Sequence, residues 1–391
     1  MSRCICYAVW MERAAIQWIR RGLIAIVGLA ICVSHVVAGP FSNLVVFGDS
    51  LSDIGNIAQA PLINTPGPFY TNGRFSNGPV YAETLATGLG LPALVRSTVS
   101  GGTDYAYGGA QTTGTAFPNN LFVQDVDDQV GKYLSSHTAN ASTLYLIFAG
   151  ANDLIDGQTN MSVPVGSLQS SMNRLITSGA RQFLVVDLPP LGETPRYNGN
   201  ASTRAQYDAR AQQYNAALTT MVAAEHAANP TATLYQFDVY GLFEQVLARP
   251  SDFGLTNVTA SAAPGLSPGD TSYDTSQIVS NPNQYLFWDD LHPTAAVHAI
   301  LAQRMLDLFR LPGDFNGDGV VDAADYVSWR AGQSSAHIPD DYNVWAAHFG
   351  QIAADGAGLG AAVPEPATIS ICGLAFLSFF GMRRFGCAKL A

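Results

Sequence analysis

Leu44-Val45-Val46-Phe47-Gly48-Asp49-Ser50-Leu51-Ser52-Asp53 reads as an apolar strand that breaks at a glycine and presents a serine. Thr143-Leu144-Tyr145-Leu146-Ile147-Phe148-Ala149 is a second such run, ending in Gly150-Ala151-Asn152-Asp153, and Phe183–Val186 and Thr233–Phe237 are two more. Segments with the pattern and length of helices lie among and after these runs: Val80–Leu89, Val123–Ser135, Val165–Ser178, Arg204–Ala228 and Thr294–Phe309. Short continuous apolar strands alternating with helices predict an α/β fold, a parallel sheet with helices on both faces.

Taken alone, Ser50 reads equally well as the N-cap of a helix. A serine becomes a nucleophile only when an imidazole takes its proton, and the imidazole needs an acid to fix its tautomer. Phe287-Trp288-Asp289-Asp290-Leu291-His292-Pro293-Thr294 supplies both, with Asp289 three residues before His292. Acyl transfer also needs donors aimed at the oxyanion. Asp104-Tyr105-Ala106-Tyr107-Gly108-Gly109-Ala110 offers backbone amides with no side chain in the way, and Asn152 sits at the carboxyl end of a strand, where open α/β sheets bind ligands.

These blocks, in this order, resemble the GDSL esterases and lipases, also called SGNH hydrolases. The resemblance runs over residues 41–311 and includes Gly73-Arg74-Phe75-Ser76-Asn77-Gly78-Pro79 and Asp187-Leu188-Pro189-Pro190-Leu191-Gly192. It implies a three-layer α/β/α, flavodoxin-like fold. It also implies Ser50 as nucleophile and oxyanion donor, Gly109 and Asn152 as further oxyanion donors, His292 as general base and Asp289 as its orienting acid, with no cofactor for catalysis. One departure stands out: the glycine block in this subgroup usually opens with Asn, and here the position is Asp104, for which a structural consequence is expected.

The termini point to export. Residues 1–38 combine a basic lead with the apolar stretch Gly22–Val33 and small residues up to Ala38, the pattern of a secretory signal peptide. Val363-Pro364-Glu365-Pro366-Ala367-Thr368, an apolar run from Ile369 to Met382 and Arg383-Arg384 resemble the PEP-CTERM sorting signal. That resemblance implies a hydrophobic helix over part of residues 363–391 and processing by an exosortase-type enzyme, leaving the body at the cell surface or outside the cell. All five cysteines, Cys4, Cys6, Cys32, Cys372 and Cys387, lie in these terminal segments, so the body has neither a disulfide nor a thiol nucleophile. The whole chain carries −11; taking away residues 1–38 (+3) and 364–391 (+2) leaves −16 for residues 39–363, whose only lysine is Lys132. So acidic a body argues against nucleic acid as a partner.

After Leu311 the composition changes. Asp314-Phe315-Asn316-Gly317-Asp318-Gly319-Val320-Val321-Asp322-Ala323-Ala324-Asp325 puts oxygen-bearing side chains at loop positions 1, 3, 5, 9 and 12 and the Val320 carbonyl at 7, the pattern of a Ca²⁺ loop. It resembles a dockerin-type repeat, with Asp341-Tyr342-Asn343-Val344-Trp345 as a second, degenerate one, so residues 314–350 are expected to bind Ca²⁺ through Asp314, Asn316, Asp318, Val320, Asp322 and Asp325. Residues 351–362 read as a linker. Such a segment implies a cell-envelope or cohesin-like partner. The Pro61–Pro79 and Ala260–Asn283 loops are expected to wall the acyl site, and His137, His226 and His298 read as helix-surface residues. The function expected is exported ester hydrolysis on a lipid, a small aliphatic ester or an acetylated glycan. The alternative is a cell-surface binding or matrix protein on a hydrolase fold.

Overall fold

The computed structural model describes residues 41–61, 64–114, 121–331 and 339–352. The expected signal peptide, the PEP-CTERM-type segment with its hydrophobic helix, and nearly all of the linker lie outside these residues. Among the described residues no helix is long and apolar enough to cross a membrane.

Four strands, β1 (Asn43–Gly48), β2 (Thr143–Phe148), β3 (Gln182–Val186) and β4 (Thr233–Phe237), pair in parallel in the order β1-β2-β3-β4. β2 is buried along its whole length, as expected of a central strand covered on both faces. Residues 103–107 lie along the other side of β1. Val46 N–H donates to Thr103 O (2.9 Å), Tyr105 N–H to Val46 O (2.8 Å) and Tyr107 N–H to Gly48 O (3.1 Å). Counting that segment, the chain order across the sheet is 2-1-3-4-5, the flavodoxin-like winding, and the winding direction reverses at β1.

Helix α1 (Tyr81–Gly88) packs against α7 (Ala295–Leu306), while α2 (Val126–Ser136), α4 (Ser162–Ser178) and α5 (Ala201–Ala228) pack in succession. Right-handed crossovers with a reversal at β1 set these two groups on opposite faces, completing the three layers. The core between them holds Leu44, Phe47, Leu146, Phe148, Phe183 and Tyr214, all fully buried. A phenylalanine so placed is worth about 3–5 kcal/mol against alanine.

Within the α/β domain, two helices escaped the sequence reading: α3 (Ala151–Ile155) and α6 (Val239–Ala248). The first is too short to show periodicity, and the second follows β4 with only the N-cap Asp238 between them. A separate parallel pair, β5 (Asn257–Ser261) with β6 (Tyr285–Phe287), leads into the acid–histidine segment. Near the end of the chain, α8 (Ala323–Arg330) and α9 (Pro339–His348) form a helix pair.

Candidate active site

The reversal point gathers the predicted residues. Ser50 follows β1 by two positions, Gly109 follows the 103–107 edge, and Asn152 opens α3 after β2; Gly48 and Phe148 are register partners at the strand ends. His292 and Asp289 arrive from the other end of the chain. His292 Nε2 lies 2.9 Å from Ser50 Oγ, and His292 Nδ1 lies 2.7 Å from Asp289 Oδ2. All three are buried, with Ser50 retaining 7% exposure. In this arrangement an imidazole contacts a hydroxyl through one ring nitrogen and a carboxylate through the other, the contacts that general-base activation of a serine requires.

Asp289 is fixed locally. Its Oδ1 accepts the N–H groups of Leu291 (2.8 Å) and His292 (2.6 Å), an arrangement possible only because acid and base are three residues apart. Burial would raise its carboxyl, but the charge of His292 and hydrogen bonds from His292 and Tyr70 outweigh that and hold it below its ordinary range. The neighbouring Asp290 is taken by Arg196, whose guanidinium holds it at 2.8 Å.

Asn152 Nδ2 donates to Ala110 O (2.8 Å), which uses one amide hydrogen and leaves the second for the site. Gly109 has φ +84°, a left-handed conformation that side chains disfavour. At Gly108 a Cβ would come within 2.2 Å of the Phe75 ring, and that ring packs on His292 at 5.0 Å between centroids. The glycine pair thus admits both the turn and the aromatic that braces the base.

Several residues that support the site were given no role by the sequence. Asp53 Oδ1 accepts the N–H groups of Gly55 (2.7 Å) and Asn56 (2.5 Å), and Oδ2 those of Ile57 (3.2 Å) and Gly108 (2.8 Å). Asn56 Nδ2 donates to Asp104 O and Ala106 O, both at 2.9 Å. Gln129 grips Gly48 from α2, accepting its N–H (2.9 Å) and donating to its carbonyl (2.8 Å). Tyr70 Oη donates to Asp289 Oδ2 (2.6 Å), and Ser76 Oγ to Pro293 O (3.0 Å). An Asp before a Gly-Asn turn is a local cue, but the tie from Asp53 to Gly108 spans 55 positions.

The departure at Asp104 has the structural consequence expected. Its carboxyl accepts the N–H groups of Ile54 (2.9 Å) and Ala106 (3.0 Å), and burial, reinforced by the nearby Asp53, holds its pKa well above the ordinary carboxylate range. Two of the remaining histidines, His137 and His226, are exposed at helix ends. His298 is a correction: it is fully buried, accepts the Tyr81 N–H at Nδ1 (3.2 Å) and stacks on Tyr81. It belongs to a stripe with Val297, Leu301, Ala302 and Met305 that faces α1, and burial drives its pKa down to about 3. Of the two long loops, the first supplies Thr65 and Phe75 and the second Pro268 to a cleft that opens at Ser50.

In the 314–325 segment, Asp314 accepts the N–H groups of Gly317, Asp318 and Gly319, and Asp325 those of Asn316 and Asp322. With these oxygens turned to backbone amides, no group of three or more His, Cys, Asp or Glu side chains among the described residues stands ready to hold a metal ion.

A reversed-order parallel sheet with serine, imidazole and acid at its switch point defines a serine ester hydrolase of the SGNH type. The family model for GDSL-like lipase/acylhydrolase matches residues 44–305, and the chain belongs to that family of carboxylic ester hydrolases. It is similar to a phosphatidylcholine-sterol acyltransferase of Aeromonas hydrophila, 26% identical over 73% of this chain and 95% of that protein. It is equally similar to a GDSL esterase/lipase of Arabidopsis thaliana, 26% identical over 68% of this chain and 86% of that protein. Among solved structures, a member of the lipolytic G-D-S-L family from Veillonella parvula aligns with a TM-score of 0.38 at 12% identity, over 68% of this chain and 98% of that one.

Proposed function

We propose that this protein is an exported hydrolase that cleaves esters through an acyl-enzyme on Ser50. The observation that carries this reading is the continuous chain from Ser50 Oγ to His292 Nε2 and from His292 Nδ1 to Asp289 Oδ2. Ser50 Oγ attacks the ester carbonyl as His292 Nε2 takes its proton. The oxyanion that forms meets the N–H groups of Ser50 and Gly109 and the second hydrogen of the Asn152 amide, which act where charge appears only in the transition state. His292 then gives its proton to the departing alcohol. Water, deprotonated in turn by His292, attacks the acyl carbon and releases the acid. Asp289 keeps the imidazole in the tautomer each transfer requires.

Export rests on the signal-like residues 1–38, the sorting-signal resemblance of residues 363–391 and the cysteine-free, acidic body between them. In the full chain, Ser50→Ala is expected to lower kcat toward p-nitrophenyl butyrate by about 10⁴–10⁶-fold with an unchanged circular dichroism spectrum. Retention of near-native turnover would remove Ser50 from the nucleophile's role.

We also propose that residues 314–325 take Ca²⁺. The donor set is hard oxygen, from Asp314, Asn316, Asp318, the Val320 carbonyl, Asp322 and Asp325. Asp314 is pushed up by burial and by the nearby Asp325 and Asp318, a repulsion that a cation relieves. Val321 exchanges backbone hydrogen bonds with Gly350 and Gln351, and Trp345 Nε1 donates to Asp322 O (2.7 Å), so the loop is tied to the α9 end. Chelation is expected to expose residues 314–352 to protease while leaving ester turnover intact. Equal cleavage with and without Ca²⁺ would sink the calcium reading.

A further inference from the structure

Two spaces meet at Ser50, and they differ in kind. One is open to solvent, about 300 Å³ in volume, and bordered by Thr65, Phe75, Gly109, Arg196 and Pro268. The other is enclosed, only about 40 Å³, and bordered by the apolar side chains of Ile155, Leu191, Val239, Phe243 and Phe287. Both reach Ser50, Asn152, Leu291 and His292.

Building on the hydrolase reading above, we infer that the enclosed pocket is the acyl site and restricts the enzyme to short acyl groups, acetyl to butyryl, with Phe243 and Ile155 setting the limit. A tetrahedral carbon on Ser50 carries, besides Oγ and the oxyanion, the alkoxy group and the acyl chain, and each of these two needs a space. The alcohol must collect a proton from His292 and leave, and water must then enter, so the open space belongs to the alcohol. The acyl group stays bonded to Ser50 until water arrives and belongs on the closed side. There the walls are mainly hydrocarbon, with Asp49 and Thr194 as polar side chains beyond those shared with the open side, which suits an alkyl tail.

Size sets the limit. The space beside Ser50 on this side is far smaller than the one opposite, about 40 Å³ against about 300 Å³, which suits a short alkyl tail and leaves no run of space for a long one. Phe243 blocks further extension from the buried face of α6, which also presents Val239, Leu242 and Val246. Ile155, at the last turn of α3, is partly exposed and borders the same space. The open space imposes no such limit on the alcohol, so bulky alcohols with small acyl groups fit the pair of spaces.

The test is the chain-length profile of the full chain on p-nitrophenyl acetate, butyrate, octanoate and palmitate. The native enzyme is expected to favour acetate or butyrate over octanoate in kcat/KM by at least about 100-fold, since each excess methylene meets a wall. Phe243→Ala is expected to raise the octanoate-to-butyrate ratio at least tenfold. Because Phe243 lies in the core, Ile155→Ala provides the same readout from a site whose truncation leaves the core intact, with the expected shift in the same direction. A native preference for octanoate, or variants that scale all four esters equally, would overturn the pocket assignment while leaving the hydrolase reading in place. No hydrolysis of any of the four would remove the hydrolase reading itself, and full activity in Ser50→Ala would remove the Ser50 acyl-enzyme on which the pocket assignment is built.

Discussion

The serine side and the histidine side of this site are built in opposite ways. On the histidine side, Asp289 binds the N–H groups two and three residues ahead of it and the ring of the residue three ahead, so a four-residue stretch nearly assembles itself. On the serine side, Gly48 is held by Gln129 from 81 positions away, and Asp53 reaches Gly108 across 55. The carboxylates differ in the same sense. Asp289 is held below its ordinary range by its interaction with His292 and the hydrogen bonds it accepts, whereas Asp53 is pushed up to about 6 and Asp49 to about 7, both chiefly by burial. The nucleophile is thus positioned by the whole fold and the base by its own segment.

Asp53→Asn is the change expected to strain the serine side most. Asp53 gives four backbone N–H groups two acceptor oxygens, and asparagine keeps one oxygen while turning two N–H donors toward the groups that lost theirs. The Gly108–Gly109 turn then loses its tie to the nucleophile segment, and the proposed Gly109 donor drifts. A loss of about 10²-fold in kcat is expected, with KM little changed, because displacement by about 1 Å is costly at a preorganised site. A rise in KM alone would mean the turn serves binding rather than the oxyanion.

On the histidine side the corresponding change should cost less. Tyr70→Phe removes one hydrogen bond to Asp289, worth about 1.5–3 kcal/mol for a charged acceptor, while Asp289 keeps its ties to Leu291 and His292. Part of that loss falls on stability, so a decrease in kcat of about tenfold is expected. Should Tyr70→Phe prove worse than Asp53→Asn, the base would be the side that depends on the distant fold.

The same contrast explains what was legible in the sequence. Strand runs, helix periodicity and the spacing of Asp289 to His292 are local, and they led to the α/β fold and to Ser50, His292 and Asp289 lying together. Asn152 was singled out because it follows a strand-like run at a break, and Gly109 because a glycine pair bares backbone amides. Tyr70, Gln129 and the reach of Asp53 were not, since each is a long-range contact made by a residue type common on any surface. His298 was misread for a related reason: whether a histidine on a helix faces solvent depends on which neighbour covers that stripe, and here α1 does.

The smallest effect expected is on stability, and its sign follows from the carboxylates. Asp49 and Asp187 are raised to about 7, Asp53 and Asp153 to about 6, in each case first by burial. A carboxyl whose folded pKa exceeds its unfolded value binds its proton more tightly in the folded state. Its contribution is therefore fully present below about pH 4 and is lost as pH rises through 6 to 7. Asp289 has the opposite sign: its contribution is present above its ordinary range and lost as pH falls below it. His298, driven down to about 3 by burial, shares the sign of Asp289, but these two are outnumbered by the four carboxyls and Asp104, which burial also raises, and the balance places the stability maximum on the acid side of neutrality. The Tm of the full chain, followed by circular dichroism, should fall by at least about 3 °C between pH 5 and pH 8. Asp53→Asn, which cannot ionise, should flatten that slope, and Tyr70→Phe should leave it unchanged. A Tm that is level or rising over this interval would show that the buried carboxylates of the serine side ionise at no cost, and the contrast between the two sides would then rest on geometry alone.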